Sequence, residues 1–219
     1  MGPADREALS SLGTRHEYPP YDMVLAEGDR TTFVVVLLSG WCTVWTSTDR
    51  GGRLILALRR AGEAVGDMAA LDGRPRSASI SALGPVTGLV VPGDRFRRFL
   101  ASRPHANALM TIQLTERLRS ADHERRSLAS MTVLQRLAER LVELADRTGR
   151  LENEAVTIRL PLAQHELAAS VGSTREAVAK ALRLLREQGL VRTGPGTLVV
   201  ADLDPLRLLA AGQPQGTET

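Results

Sequence analysis

Cysteine is nearly missing from this 219-residue chain, where Cys42 stands alone. One thiol cannot close an internal disulfide or supply a four-cysteine zinc or iron–sulfur site. Cys42 lies in an apolar strand pattern, so the expected role is that of a small buried hydrophobe. Histidine is scarce as well. His16, His105, His123 and His165 are scattered without a paired metal-ligand spacing, so no metal is expected. A jelly-roll enzyme of the cupin type would need clustered His and Glu inside its strands, and finds none here. Long apolar runs are also lacking. The strongest, Phe33 to Leu38, is strand-sized, far below the ~20 residues that cross a bilayer, and no membrane association is expected. Met1 to Arg15 lacks the apolar block of a signal peptide, which predicts a cytoplasmic location. Lys180 is the only lysine, and the formal net charge is just +3. From Thr132 to Thr219 eleven basic side chains face eleven acidic ones. Nucleic-acid binding therefore cannot be argued from bulk basicity and must rest on where individual side chains point.

Short strands and glycine turns are plentiful. Phe33–Leu38, Cys42–Thr46, Leu54–Leu58, Ser77–Ala82 and Gly88–Val91 are β-branched or alternating segments. Between them lie Glu27-Gly28-Asp29, Ser39-Gly40, Gly51-Gly52, Ala61-Gly62 and Leu83-Gly84-Pro85. This spacing predicts an antiparallel β-roll, jelly-roll-like, rather than a parallel sheet.

The pattern turns helical at Asp94. Arg95 to Leu100 reads as a short helix. A long one follows, capped by Ser102, with Pro104 in its first turn and an end near Leu128. Met110, Leu114, Leu118, Ala121 and Leu128 form a thin apolar stripe among Glu116, Arg117, Arg119, Asp122, Glu124, Arg125 and Arg126. So narrow a seam predicts a dimer helix, with docking on the chain's own barrel as the alternative. A further helix, Thr132 to Arg147, carries Val133, Leu137, Leu141 and Leu144 on one face and ends at Gly149. Thr157 to Leu160 reads as a strand.

Pro161 to Gly189 reads as two helices about a tight turn at Gly172. Leu167, Ala168 and Val171 point inward on the first. Ser173 is expected to cap the second, with Glu176 three residues on as a capping box. Val178, Ala181, Leu182 and Leu185 define its buried face, leaving Arg175, Glu176, Lys180, Arg183 and Glu187 outward. A helix entering the major groove needs such a face. Arg175 can donate two hydrogen bonds to guanine, Glu176 can accept from cytosine, and Lys180 can reach a second guanine or a phosphate. The plain alternative is a surface ion pair between Glu176 and Lys180, worth ~0.3–0.5 kcal/mol. The strands Gly189–Thr193 and Thr197–Val200 about Gly194-Pro195-Gly196 then form a hairpin, a wing.

Gln164–Lys180, QHELAASVGSTREAVAK, together with that hairpin, resembles the helix-turn-helix of the Crp–Fnr family of bacterial regulators. The likeness spans about Tyr18 to Ala210. It implies a cyclic-nucleotide-binding β-roll, a dimer helix and a winged helix-turn-helix, an α+β architecture. The expected divisions are 1–100 for the sensor, 101–131 for dimerisation and hinge, and 132–219 for DNA binding. The resemblance places Arg175, Glu176 and Lys180 at base-contacting positions, though the third is usually arginine. Gln164 and His165 join them as DNA contacts, with Ser173 and Thr174 at the turn. Ala163 departs from the family's Thr or Ser cap, a change costing ~1 kcal/mol of helix stability.

Gly66-Asp67-Met68-Ala69-Ala70-Leu71 and Pro75-Arg76-Ser77-Ala78 resemble the phosphate-binding cassette of cyclic-nucleotide domains. A short helix offers N–H groups to an anion, arginine neutralises it, and a hydroxyl donates beside it. Asp67 replaces the family's ribose-binding glutamate with a shorter acid. Arg76 has an alternative role, capping the cassette or pairing with Asp67. The family's adenine-recognising Thr and Ser fall near Ala121 and Asp122. Ala121 offers no polar group, whereas Asp122 with Ser77 suits guanine. The expected ligand set is therefore Gly66, Asp67, Met68, Arg76, Ser77 and Asp122, and the expected effector cAMP or cGMP. A regulator with a vestigial pocket is the alternative. A cofactor is not expected, since haem sensing would need a Cys/His pair that is lacking. The implied partners are a second copy of the chain, a pseudo-palindromic DNA site and RNA polymerase.

Overall fold

The structure, a computed structural model, describes residues 1–48, 51–152, 155–158, 163–194 and 197–212. Its chain contacts divide it into two compact units, Met1–Asp122 and His123–Thr219.

The first unit opens with helix α1 (Pro3–Ser10) and strands β1 (Thr14–Tyr18) and β2 (Met23–Leu25). Strands β3 (Val34–Ser39), β4 (Trp41–Ser47), β5 (Arg53–Arg60) and β6 (Ala64–Val65) lead to the short helix α2 (Asp67–Asp72). Strands β7 (Ser79–Ala82) and β8 (Val86–Val91), helix α3 (Gly93–Ser102) and helix α4 (Pro104–Ser130) follow. The strands form two antiparallel four-stranded sheets, ordered β1-β8-β3-β6 and β2-β7-β4-β5. The jelly-roll-like expectation therefore holds.

The continuous apolar run over β3 now has a reason. Val35 and Leu37 enter the core between the sheets with Tyr18, Leu25, Cys42, Ile80 and Val86. Val34 and Val36 face the other way, onto Leu9, Phe96, Phe99, Leu100 and Met110 of the helices. A strand covered on both faces reads apolar throughout instead of alternating. Its neighbour β8 makes room at Gly88, where a Cβ would stand 2.4 Å from a Val35 methyl. The polar edge strand β1 escaped the sequence reading because four of its five residues are exposed.

Helix α4 spans Pro104–Ser130, but Ser102 does not cap it. That residue ends α3, and its hydroxyl donates back to the Phe99 carbonyl at 3.1 Å. The unit boundary falls inside α4, so the segment expected as a separate 101–131 piece is shared between the two units.

The second unit contains α5 (Val133–Thr148), β9 (Arg150–Glu152), β10 (Ala155–Ile158), α6 (Gln164–Ser170) and α7 (Arg175–Glu187). Strands β11 (Val191–Gly194) and β12 (Thr197–Val200) and helix α8 (Leu203–Ala210) complete it. Thr132 caps α5 with a full capping box to Gln135. Leu137, Ala138, Leu141, Leu144 and Ala145 line the buried face of α5, which contacts α7, α8 and β10. The sheet runs β11-β12-β10-β9, so the hairpin after α7 continues a sheet rather than standing alone. The expected tip at Pro195-Gly196, the end of the strand at Arg159-Leu160 and the helix start at Pro161 lie outside the described residues.

Cys42 is fully buried, and burial pushes its thiol up to about 12. The reactive thiolate is therefore depleted at neutral and mildly alkaline pH. Iodoacetamide at about pH 8 should leave the folded chain unmodified and alkylate it once in guanidinium chloride. Mass spectrometry reads the difference, and rapid alkylation of the native chain would contradict the burial.

Candidate nucleic-acid interface and effector pocket

The helix-turn-helix is set by the way α6 stops. Val171 ends it, Gly172 takes the left-handed conformation at φ 59°, and the Ser173 N–H donates to the Ala168 carbonyl at 3.1 Å. That is a Schellman closure, which assigns Ser173 to the termination of α6. The cap of α7 consequently moves one residue on. Thr174 Oγ1 accepts from the Ala177 N–H at 3.2 Å, correcting the expected Ser173 cap. Ala163 provides no side-chain cap, but the Glu166 carboxylate accepts from the Ala163 N–H at 2.8 Å. Half of a capping box thus survives the alanine.

Arg175, Glu176, Lys180, Arg183 and Glu187 are all exposed on α7, and Gln164 and His165 are exposed at the start of α6. Among the described residues no ion pair joins Glu176 to Lys180. Instead, hydrogen bonds from its own N–H and from Thr174, with Arg175 beside it, hold the Glu176 carboxyl below its ordinary range. It is an ionised acceptor at neutral pH.

Two α5 arginines that the sequence reading passed over fix the turn. Arg136 donates to the Val171 carbonyl at 2.8 Å and to the Met131 carbonyl at 2.7 Å. Arg140, only 8% exposed, donates to the Ser170 carbonyl at 3.0 Å and pairs with Glu143 at 2.6 Å and Glu124 at 3.4 Å. These guanidiniums take the last carbonyls of α6, which lack helical partners. Leu128 crowds the same turn, since a Cβ on Gly172 would stand 2.6 Å from its side chain. At the other end of α7, Arg186 donates to Thr193 Oγ1 at 3.1 Å, tying the helix to the hairpin.

In the first unit the cassette is assembled about Arg76, 4% exposed. Its Nη1 donates to the Gly66 carbonyl at 2.7 Å, Nη2 to the Phe33 carbonyl at 2.7 Å and Nε to Thr31 Oγ1 at 3.2 Å. Burial lowers its basicity, opposed by Asp29 and Asp67. Gly66 has φ 76°, and a Cβ there would lie 2.7 Å from Arg76 Nη1, so two independent reasons require glycine. A guanidinium has five N–H donors, and Arg76 still has two after these three bonds. The capping alternative is therefore real, yet compatible with holding an anion.

Asp67 does not pair with Arg76. Both its oxygens accept from Arg117 Nη1 at 2.8 Å, and Arg117 Nη2 donates to the Ala64 carbonyl at 2.5 Å. Gln113 donates to that same carbonyl at 3.3 Å. Ala106, Met110, Gln113 and Arg117 recur at helical spacing, and this inward stripe was the missed signal. It also divides the expected dimer seam. Met110 is buried in the chain's own core at 7% exposure, and Leu114 packs beside it, as the docking alternative required. Leu118 at 64% exposure and Ala121 remain uncovered, joined by Ile112, while Leu128 is half exposed and lies against the Gly172 turn. Met68 and Ser77 lie exposed together, the Ser77 hydroxyl 4.0 Å from the Met68 sulfur, and Asp122 is half-buried.

Residues 15–103 match the cyclic nucleotide-binding domain, and residues 135–209 match the Crp-like helix-turn-helix domain. A cyclic AMP receptor protein of Thermus thermophilus is 29% identical over 212 residues, 97% of this chain and 95% of its own. A CRP-like cAMP-activated global transcriptional regulator of Mycobacterium tuberculosis is 27% identical over 190 residues, 87% of this chain and 85% of its own. The solved structure of a CRP/FNR-family regulator from Thermus thermophilus superposes with TM-score 0.74 at 26% identity. It covers 92% of this chain and 100% of that one. The chain belongs to the Crp–Fnr family. As a member of that family it is a DNA-binding transcription regulator with a cyclic nucleotide-binding domain, not an enzyme. Among the described residues no helix is long and apolar enough to cross a membrane.

In this Crp–Fnr regulator, truncating Arg140 leaves the Ser170 carbonyl without its partner and Glu143 with Arg147 alone among the described residues. Arg140→Ala should destabilise the second unit by about 1–3 kcal/mol, from the unsatisfied carbonyl and the lost packing of its stem. Arg207→Ala, which cuts an exposed pair with Asp146, should stay within about 0.5 kcal/mol. Urea unfolding followed by circular dichroism compares the two, and equal losses would refute the assignment.

Proposed function

We propose that this regulator acts as a homodimer, binds cAMP in the β-roll and reads a pseudo-palindromic operator with α7. Arg76 carries the reading. It is buried, already oriented by three hydrogen bonds, and has two N–H groups left for the cyclic phosphate. The cAMP-activated and cyclic AMP receptor relatives favour that nucleotide over cGMP. Exposed Ile112, Leu118 and Ala121 on α4 supply an apolar strip for a second copy, and a two-fold dimer places two α7 helices about one helical turn apart on DNA. Arg175, Glu176 and Lys180 then meet base edges, while Gln164 and His165 approach the backbone. The hinge lies about Ala129–Thr132, where Met131 N–H bonds Ser127 and the Met131 carbonyl receives Arg136. RNA polymerase is the partner expected of such a regulator.

One observation favours a second reading, a regulator whose pocket has lost its ligand. Both Asp67 oxygens are engaged by Arg117, and Ala121 brings no polar group to the base. A carboxylate has about four lone-pair positions, so a ribose hydroxyl can still donate to Asp67.

Titration calorimetry separates these readings. cAMP should bind the wild type and lose at least tenfold in Arg76→Ala, about the value of one charge-assisted bond. No heat at millimolar nucleotide would favour the empty-pocket reading. On DNA, Arg175→Ala should cost about 1–3 kcal/mol and relax preference at one base pair per half-site. Arg183→Ala should weaken binding evenly across sequences. Competition binding against operator variants measures both, and an unchanged Arg175→Ala profile would refute the docking of α7.

A further inference from the structure

A second cleft lies in the first unit, sharing Thr31 and Phe33 with the surroundings of Arg76. It has a volume of about 740 Å³ and opens between the α1–β1 turn, the loop before β3 and the start of α3. Its walls are basic and hydroxyl-rich. Arg30 and Arg95 line it with Ser11, Thr14, Thr31 and Thr32. Arg30 has no hydrogen bond or ion pair among the described residues, and Arg95 spends only one N–H, on the Leu12 carbonyl at 3.3 Å. The single acid at the rim, Asp94, is neutralised by Arg98 at 2.6 Å. Two exposed guanidiniums with unused donors, beside the hydroxyls of Thr14, Thr31 and Thr32, suit an anion rather than a neutral or cationic ligand, whereas Ser11 Oγ already donates to the Ala8 carbonyl.

We propose that this cleft binds a phosphate-bearing small molecule, held by Arg30 and Arg95 with hydroxyl donors beside them. The site has a built-in route to the cassette. Thr31 and Phe33 wall the cleft on one side and, on the other, accept from Arg76 Nε and Nη2. Thr32 is pinned, because a Cβ on Gly93 would meet its carbonyl at 2.4 Å. A phosphate that accepts from the Thr31 O–H leaves the lone pairs of the same oxygen to Arg76 Nε, so one hydroxyl links the two sites without either displacing the other. This coupling rests on the nucleotide reading above, whereas the site itself does not.

The test uses the full isotope-labelled chain titrated with pyrophosphate, with sodium chloride matched for ionic strength. Saturable amide shifts are expected at Thr31, Thr32 and Gly93. Arg30→Gln and Arg95→Gln should each weaken them about tenfold, while Arg76→Ala leaves the affinity within about twofold. Shifts confined to Arg175–Ala177, shifts lost in Arg76→Ala, or no saturation in the wild type would overturn the proposal. Failure of cAMP binding alone leaves these signals intact, so the two ideas fail separately.

Discussion

Burying a guanidinium takes five N–H donors out of water, and each left without an acceptor costs about 1–3 kcal/mol. The acceptors this chain provides are chiefly backbone carbonyls at places where regular structure stops. Arg76 takes the carbonyls of Phe33 and Gly66, and Arg117 that of Ala64. Arg136 and Arg140 take Val171, Met131 and Ser170. Each arginine thereby converts an irregular stretch into a defined shape. In the first unit the shape is an anion cradle; in the second it is the turn that aims α7. Counted by nitrogen atom the accounting is nearly complete, with Arg117 Nε as a buried one lacking a partner among the described residues. Its cost falls on the residue that holds the cassette acid, so the Asp67–Arg117 pair is less comfortable than its two 2.8 Å contacts suggest.

The fold was legible where a pattern had a single physical cause. Glycine punctuation located β3, β4, β5, β7 and β8 to within a few residues but not β1, β2 or β6, and Val178, Ala181, Leu182 and Leu185 gave the buried face of α7. Legibility failed where two causes compete for the same residue. Ser173 and Thr174 are both good caps, and only the closure of α6 on Ala168 decides between them. Met110 and Leu114 suit a coiled-coil seam and a barrel contact equally well, because both demand the same helical spacing. Arg117 looked like one solvated charge among many. Its partner Asp67 lies fifty positions away, beyond any local signal.

Charge shows the same limit from another side. Equal numbers of acids and bases after Thr132 gave no hint of a DNA-binding surface. In the structure the acids are committed elsewhere. Glu143 serves Arg140 and Arg147, Asp146 serves Arg207, and Glu139 accepts from His123 and Ser127. Glu166 is spent on the start of α6. Among the described residues no salt bridge engages Arg175, Lys180 or Arg183. A segment neutral in sum therefore presents a basic helix face, and what reaches DNA is that local field rather than the total. With Glu187 at the far end of the helix, Glu176 is the acid among these bases at its start. Its ionised state, fixed by the helix start and Arg175, makes it a discriminating acceptor. It repels phosphate, so it gains only where a base amino group faces it. A negative charge on a DNA-reading surface thus favours selectivity at the expense of affinity.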